Sequence, residues 1–79
     1  MSNNDKYDKI FKDTFEIEQD GLKGLEYNQI EAWDSIGHME LIATFEDEWD
    51  IVMEMDDIIE ISSYENGKEI LKRYEIDIK

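Results

Sequence analysis

Trp33-Asp34-Ser35-Ile36-Gly37-His38-Met39-Glu40-Leu41-Ile42 is the stretch on which the fold depends, and it continues into an acidic run from Ala43 to Asp50. Asp34 and Ser35 are both residue types that commonly cap helix N-termini. Apolar residues follow them at steps of three and four, so the spacing predicts a helix that begins at Asp34 or Ser35 and ends near Glu48. The chain contains no proline that would break this helix.

This helix carries two separate apolar stripes when its residues are placed at about 100° intervals. The larger stripe, which we expect to face the core, consists of Leu41, Ile42, Phe45 and Trp49. The smaller stripe consists of Ile36, Met39 and Ala43. The carboxylates that flank the smaller stripe include Glu40, Glu46 and Asp47. The pattern predicts an exposed apolar patch with an acidic rim, although an ordinary solvated helix face would carry the same carboxylates.

Helical periodicity also dominates the rest of the chain, whereas strand-type alternation is weak. We predict a first helix from Asn4 to Ile17, capped by Asn3 or Asn4, with a buried stripe of Tyr7, Ile10, Phe11, Thr14 and Phe15. A short third helix is predicted over residues 55–61, capped by an aspartate. The last helix is predicted to start after Ser62 or Ser63, with a buried face of Tyr64, Ile70, Leu71 and Tyr74. Gly67 is expected to weaken this helix by about 1 kcal/mol, and the tail over residues 75–79 is expected to fray.

Periodicity lapses from Glu18 to Asp34, which predicts a long loop between helices 1 and 2. The apolar residues that remain there as anchors are Leu22, Leu25, Tyr27 and Ile30. A loop this long is unusual in a small domain and indicates a functional reason for it. The predicted fold is therefore a single all-α domain over residues 1–79, a small four-helix bundle with three longer helices and one short one.

Composition narrows the classes of function. Eight basic residues against 22 acidic ones give a net charge of −14, which would repel nucleic acid and anionic lipid and attract basic patches on other proteins. The chain has no cysteine, so any thiol chemistry would have to arrive on a prosthetic group. No apolar run approaches the roughly 20 residues that span a bilayer, and the start resembles no targeting signal. We expect a cytoplasmic monomer that inserts into no membrane.

Two sharper interpretations of the site are not favoured. Asp34, Ser35 and His38 have the residue types of a hydrolase triad, but residues within one helical turn are not expected to align as one. We expect no catalytic residues, and we expect His38 to pack or hydrogen bond near the core face. The acidic residues from the end of the second helix onward lack the alternation and central glycine of a calcium loop, so no metal site is predicted. They are Asp47, Asp50, Glu54, Asp56 and Asp57. Trp33 and Trp49 are interpreted as packing anchors.

Three parts of the opening stretch resemble acyl carrier proteins: Asp34-Ser35-Ile36, Glu40-Leu41-Ile42 and the acidic run from Glu46 to Asp50. The order of helices is similar to that fold from end to end. The resemblance implies a discrete carrier whose Ser35 bears a 4'-phosphopantetheine arm, with Asp34 as part of the modification motif. It also implies a chain that is not an enzyme but the substrate of a phosphopantetheinyl transferase. Its further partners would be acyl-loading and acyl-transfer enzymes with basic patches.

The same resemblance suggests a partner face and leaves the cargo open. The residues expected to bind partners are Ile36, Met39, Glu40, Ala43, Glu46 and Asp47. Gly37 stands where an acidic residue is common, Trp33 precedes the motif and Trp49 replaces a usual phenylalanine. These departures favour a specialised lipid, polyketide or polysaccharide-modifying pathway, with primary fatty acid synthesis and an aminoacyl or peptidyl carrier as alternatives. An acidic inhibitor or nucleic-acid mimic is the alternative from another class, and it would give Ser35 no role.

Overall fold

The computed structural model describes residues 1–78, which form four helices and no strand. The helices are α1 (Asn3–Phe15), α2 (Ser35–Trp49), α3 (Met55–Glu60) and α4 (Tyr64–Lys72). A 3₁₀ turn, Gln19–Gly21, lies in the long connection between α1 and α2. The prediction of an all-α fold is confirmed.

The boundaries of α1 differ from the prediction at both ends. Ser2, rather than Asn3 or Asn4, is the N-cap: its hydroxyl accepts the Asp5 amide at 3.1 Å, and the Asp5 carboxylate accepts the Ser2 amide. This reciprocal pair satisfies two backbone donors at the helix start. The helix ends at Phe15, before the predicted Ile17, because Glu16 adopts a left-handed conformation with φ of 53°.

α2 runs one residue past its predicted end, to Trp49, and Asp34 is its N-cap. α4 starts after Ser63 as predicted, with the Ser63 hydroxyl accepting the Asn66 amide at 2.9 Å. The predicted aspartate cap of α3 is wrong. Glu54 holds the cap position, and its side chain makes no capping hydrogen bond. Its backbone amide donates to the Tyr74 hydroxyl at 2.8 Å, so a residue just beyond the end of α4 contacts the start of α3.

The core is built on aromatic rings from α1, α2 and the loop. Tyr7 stacks on Phe45 with ring centroids 5.5 Å apart, and Phe11 meets Trp33 edge to face at the same distance. The buried stripe of α2 is Leu41, Ile42 and Phe45, with Trp49 half-buried, as its periodicity predicted. Trp33 has no exposed surface and therefore serves as a packing anchor.

The loop between α1 and α2 is held against the helices by its own apolar residues. Leu22 and Leu25 are buried, whereas Tyr27 is 42% exposed. Two hydrogen bonds of 2.8 Å join the loop to the start of α4, from the Tyr27 amide to Ser62 and from the Tyr64 amide to Leu25. The loop is thus packed against the helices and hydrogen bonded to the start of α4.

The segment after α4 is packed rather than frayed. Ile76 and Ile78 are both buried in the core, and the Asn3 side chain donates to the Asp77 carbonyl oxygen at 3.3 Å. The expectation of fraying is wrong for residues 75–78 because two isoleucines anchor them. Lys79 lies outside the described residues.

Candidate functional site

Ser35 is the first residue of α2, and its side chain is exposed. Asp34 caps the helix: its Oδ1 accepts the Gly37 amide at 2.8 Å, and its carbonyl oxygen accepts the His38 amide at 2.8 Å. The Ser35 and Ile36 amides therefore precede the first hydrogen bond within the helix. The cap holds Ser35 at the positive end of a 15-residue helix.

Gly37 has a steric role that sequence reasoning missed. A Cβ atom at this position would collide with the carbonyl oxygen of Ala32 and crowd the Phe15 ring. The last turn of the loop therefore lies directly against the first turn of α2. From the sequence, Gly37 is only a departure from the acyl carrier pattern. The Ala32 carbonyl oxygen, which leaves no room for a side chain at position 37, is brought close only by the fold.

His38 uses both ring nitrogens in buried hydrogen bonds. The Trp33 indole N–H donates to Nδ1 at 3.0 Å, and Nε2 lies 2.7 Å from the Ile58 carbonyl oxygen. Since an indole nitrogen only donates, Nδ1 is the acceptor and Nε2 carries the proton. The expected position of His38 near the core face is confirmed. Its nitrogens are engaged with Trp33 and Ile58, and the Asp34 carboxylate is engaged with Gly37, so these side chains are not aligned as a triad with Ser35.

A largely apolar groove of about 380 Å³ opens beside Ser35. It lies between the loop, the first turns of α2, and α3. Its walls are formed by Tyr27, Ser35, His38, Met39, Met55, Ile58, Ile59, Ile61 and Ser62. Ser35 is the helix-terminal hydroxyl at this groove, so an exposed hydroxyl lies next to a largely apolar cavity.

The smaller stripe of α2 is exposed as predicted. Ile36 is 71% and Met39 is 52% exposed, and Ala43 is also on the surface. α3 extends the apolar surface with Met55 and Ile59, both more than 60% exposed. Sequence reasoning missed these two residues, although their spacing of four on a short helix signals a shared face.

The carboxylates around the smaller stripe of α2 differ in their exposure and hydrogen bonding. Glu40 and Asp47 are exposed. Glu46 is half-buried, and its Oε2 accepts the Met53 amide at 2.9 Å. Glu46 therefore closes the connection between α2 and α3 in addition to any contact with a partner.

A charged cluster joins α3 to the two residues that follow α4, Arg73 and Tyr74. Arg73 pairs with Asp57 and binds both oxygens of Glu60 at 3.1 Å. The Tyr74 hydroxyl donates to Asp57 at 2.5 Å. This hydrogen bond, together with the Arg73 guanidinium, lowers the pKa of the Asp57 carboxyl from its ordinary value. Desolvation and the hydrogen bond to Asp57 raise the pKa of Tyr74.

Comparisons with protein-family models, curated proteins and solved structures found no match. Across residues 1–78, no helix combines the length and apolar character needed to cross a bilayer. Within the same residues, no three His, Cys, Asp or Glu side chains are grouped so that they could hold a metal ion.

Proposed function

We propose that this chain is an acyl carrier protein whose Ser35 bears a 4'-phosphopantetheine arm, and that its four helices form the bundle of that family. The observation that carries the proposal is the position of Ser35: an exposed hydroxyl on the first residue of α2, at the edge of the apolar groove. When bound, the arm would supply a terminal thiol that holds an acyl group as a thioester. The chain itself contains no cysteine that could do so.

The residues around Ser35 fit such a group. A phosphodiester on the hydroxyl would lie at the positive end of α2, near the Ser35 and Ile36 amides. The Asp34 side chain fixes the helix start through Gly37 and so keeps the hydroxyl outward. The groove wall formed by Met39, Met55 and Ile59 offers apolar surface for the arm or its cargo.

The exposed face of α2 supports transient docking on enzymes with basic patches. Ile36, Met39 and Ala43 would make apolar contacts, and Glu40 and Asp47 would pair with arginines and lysines. Rim ion pairs are worth only about 0 to 1 kcal/mol each, so such a carrier would be released after each step. Glu46 contributes its charge to this face, but its carboxylate is already bound to the Met53 amide.

We assign the carrier to the cytoplasm as a monomer, with a phosphopantetheinyl transferase as its modifying partner. The departures at Trp33, Gly37 and Trp49 favour a specialised lipid, polyketide or polysaccharide-modifying pathway over primary fatty acid synthesis. Gly37 and Trp33 serve packing in this fold, so the preference for a specialised pathway rests on the resemblance alone.

The test is enzymatic loading of the unmodified chain. Incubation with coenzyme A, magnesium and a promiscuous phosphopantetheinyl transferase should add one phosphopantetheinyl group to the intact mass of the wild type. Ser35→Ala should add none. Ser62→Ala is the matched control, because Ser62 is an exposed serine on the same groove, and it should load like the wild type. A wild type that stays unmodified would contradict the proposal and favour the acidic-inhibitor alternative.

A further inference from the structure

His38 joins three parts of the chain around the groove beside Ser35. It belongs to α2, it accepts the indole N–H of Trp33 from the loop, and it donates to the Ile58 carbonyl oxygen of α3. Its ring lies nearly parallel to the Trp33 ring, at an angle of 16° with centroids 6.2 Å apart. Only one protonation form satisfies the two contacts together, a neutral imidazole with its proton on Nε2.

A second proton on this ring would be incompatible with the Trp33 contact. Nδ1 would become a donor facing the indole N–H, which is also a donor. Trp33 has no exposed surface and His38 only 9%, so water cannot replace the lost acceptor without movement of the rings. The protonated ring could still donate from Nε2 to Ile58. The loss therefore falls on the contact between α2 and the loop.

The nearby carboxylates of α2 and α3 are engaged elsewhere or exposed to solvent. At the start of α2, Asp34 accepts the Gly37 amide. On α3, Asp57 and Glu60 bind Arg73, and Asp56 is exposed. From the loop, Tyr27 meets the imidazole edge to face with centroids 5.6 Å apart. Within residues 1–78, the hydrogen bonds of the imidazole go to Trp33 and Ile58, and both partners are uncharged.

We propose that His38 is a proton-sensitive positioning residue for the groove. Its neutral ring ties Trp33 and Ile58 together and so sets the spacing of the loop, α2 and α3 beside Ser35. Protonation separates Trp33 from α2 and loosens the groove. That the groove receives an arm or its cargo rests on the proposed function, whereas the coupling of His38 to Trp33 and Ile58 does not.

The chain carries its own control for this proposal. It has two tryptophans, and each indole N–H donates to a different kind of acceptor. Trp33 donates to His38, and Trp49 donates to the Asn3 amide oxygen at 3.2 Å. The amide does not titrate. His38 is the single histidine, and histidine is the side chain whose charge ordinarily changes between about pH 5 and 8.

The test is a ¹H–¹⁵N spectrum of the unmodified full chain, titrated from about pH 7 to about pH 5.5, a range below the ordinary titration of the terminal amine. The Trp33 indole signal should move upfield as its hydrogen bond is lost, and the Trp49 signal should stay in place. Because a charged imidazole donates a stronger hydrogen bond to the Ile58 carbonyl oxygen, the Ile58 and Ile59 amide signals should shift with the same midpoint as Trp33. A Trp33 signal that does not move, a Trp49 signal that moves equally, or unchanged α3 amides would overturn the proposal.

His38→Asn sharpens the result. The asparagine Oδ1 can replace Nδ1 as a non-titrating acceptor for Trp33, so the indole signal should become independent of pH. A pH response retained in this variant would assign the shift to another group and overturn the proposal. If His38→Asn does not fold, the wild-type titration still decides, because Trp49 is measured in the same spectrum. This titration uses no transferase, so its result is independent of whether Ser35 can be modified. Failure of the His38 proposal and failure of the proposed function can therefore be told apart.

Discussion

The hydroxyl of Tyr7 on α1 occupies the space that a Cβ atom on Gly67 of α4 would need. The same hydroxyl donates a hydrogen bond of 2.6 Å to the Tyr64 carbonyl oxygen. Burial is the main cause that raises the pKa of Tyr7 above its ordinary value. The absence of a side chain at Gly67 therefore lets α1 and α4 approach closely enough for a buried hydrogen bond.

Gly67→Ala should destabilise the domain although alanine is the better helix former. Propensity alone favours alanine by about 1 kcal/mol, but overpacking against Tyr7 should cost about 1 to 3 kcal/mol. The measurement is urea unfolding of both proteins. Gly21→Ala is the control, because a Cβ there would meet only ordinary contact with Ile17. In a Tyr7→Phe background, which removes the obstructing oxygen, the cost of Gly67→Ala should fall. An alanine at position 67 that stabilises the wild type would contradict this account.

Asp57→Asn should destabilise the protein near neutral pH, and the effect should disappear in acid. The folded-state pKa of Asp57 is lowered, so its contribution to stability is present above the ordinary unfolded value of about 3.9 and is lost as pH falls through the lower folded value. Urea unfolding at about pH 6 and at successively lower pH below about 3.9 would measure the difference between wild type and variant, which should shrink as pH falls. Asp56→Asn makes the same change of charge on an exposed neighbour. It should show little effect, and equal losses in the two variants would remove the role of the Arg73 and Tyr74 contacts.

Glu40→Lys and Asp47→Lys should slow acyl transfer by partner enzymes without unfolding the domain. Loss of a rim ion pair costs up to about 1 kcal/mol, which corresponds to up to about fivefold in kcat/KM, and the reversed charge adds repulsion from the partner's basic patch. Added salt should narrow the gap to wild type, because screening weakens exposed ion pairs. Asp20→Lys is a control with the same change of charge at an exposed position of the 3₁₀ turn. Unchanged kinetics at low salt would remove Glu40 and Asp47 from the docking face.

Glu46 allows its structural and docking roles to be separated. Glu46→Ala should lower the free energy of unfolding by about 1 kcal/mol, because the Met53 amide loses its acceptor. Glu46→Gln keeps an acceptor oxygen and should retain most of that stability while removing the charge. If Glu46→Gln slows transfer as much as the matched change Glu40→Gln does, the charge of Glu46 acts in docking. If Glu46→Gln transfers at the wild-type rate, the role of Glu46 is limited to its hydrogen bond in the connection between α2 and α3.

The sequence was most informative where periodicity carried the information. The division of α2 into a buried face with Leu41 and an exposed face with Ile36 follows from spacing alone, whereas residue type left two candidates for each cap, Asp34 or Ser35 for α2 and Ser62 or Ser63 for α4. Features that depend on a distant neighbour could not be predicted. From the sequence, Gly67 is expected only to weaken the last helix, because its contact with Tyr7 depends on the packing of α1 against α4. Likewise, the hydrogen-bond partner of His38 on α3, Ile58, lies 20 residues away in the chain. The buried tail at Ile76 and Ile78 depends likewise on tertiary packing.

The central claim, that Ser35 carries the arm, is tested most directly by locating the modification within the chain. The sequence contains four serines: Ser2, Ser35, Ser62 and Ser63. After loading by a phosphopantetheinyl transferase, fragmentation mass spectrometry of the digested protein should place the phosphopantetheinyl group on Ser35 and on no other serine. A group found on Ser2, Ser62 or Ser63, or no group on any peptide, would contradict the account.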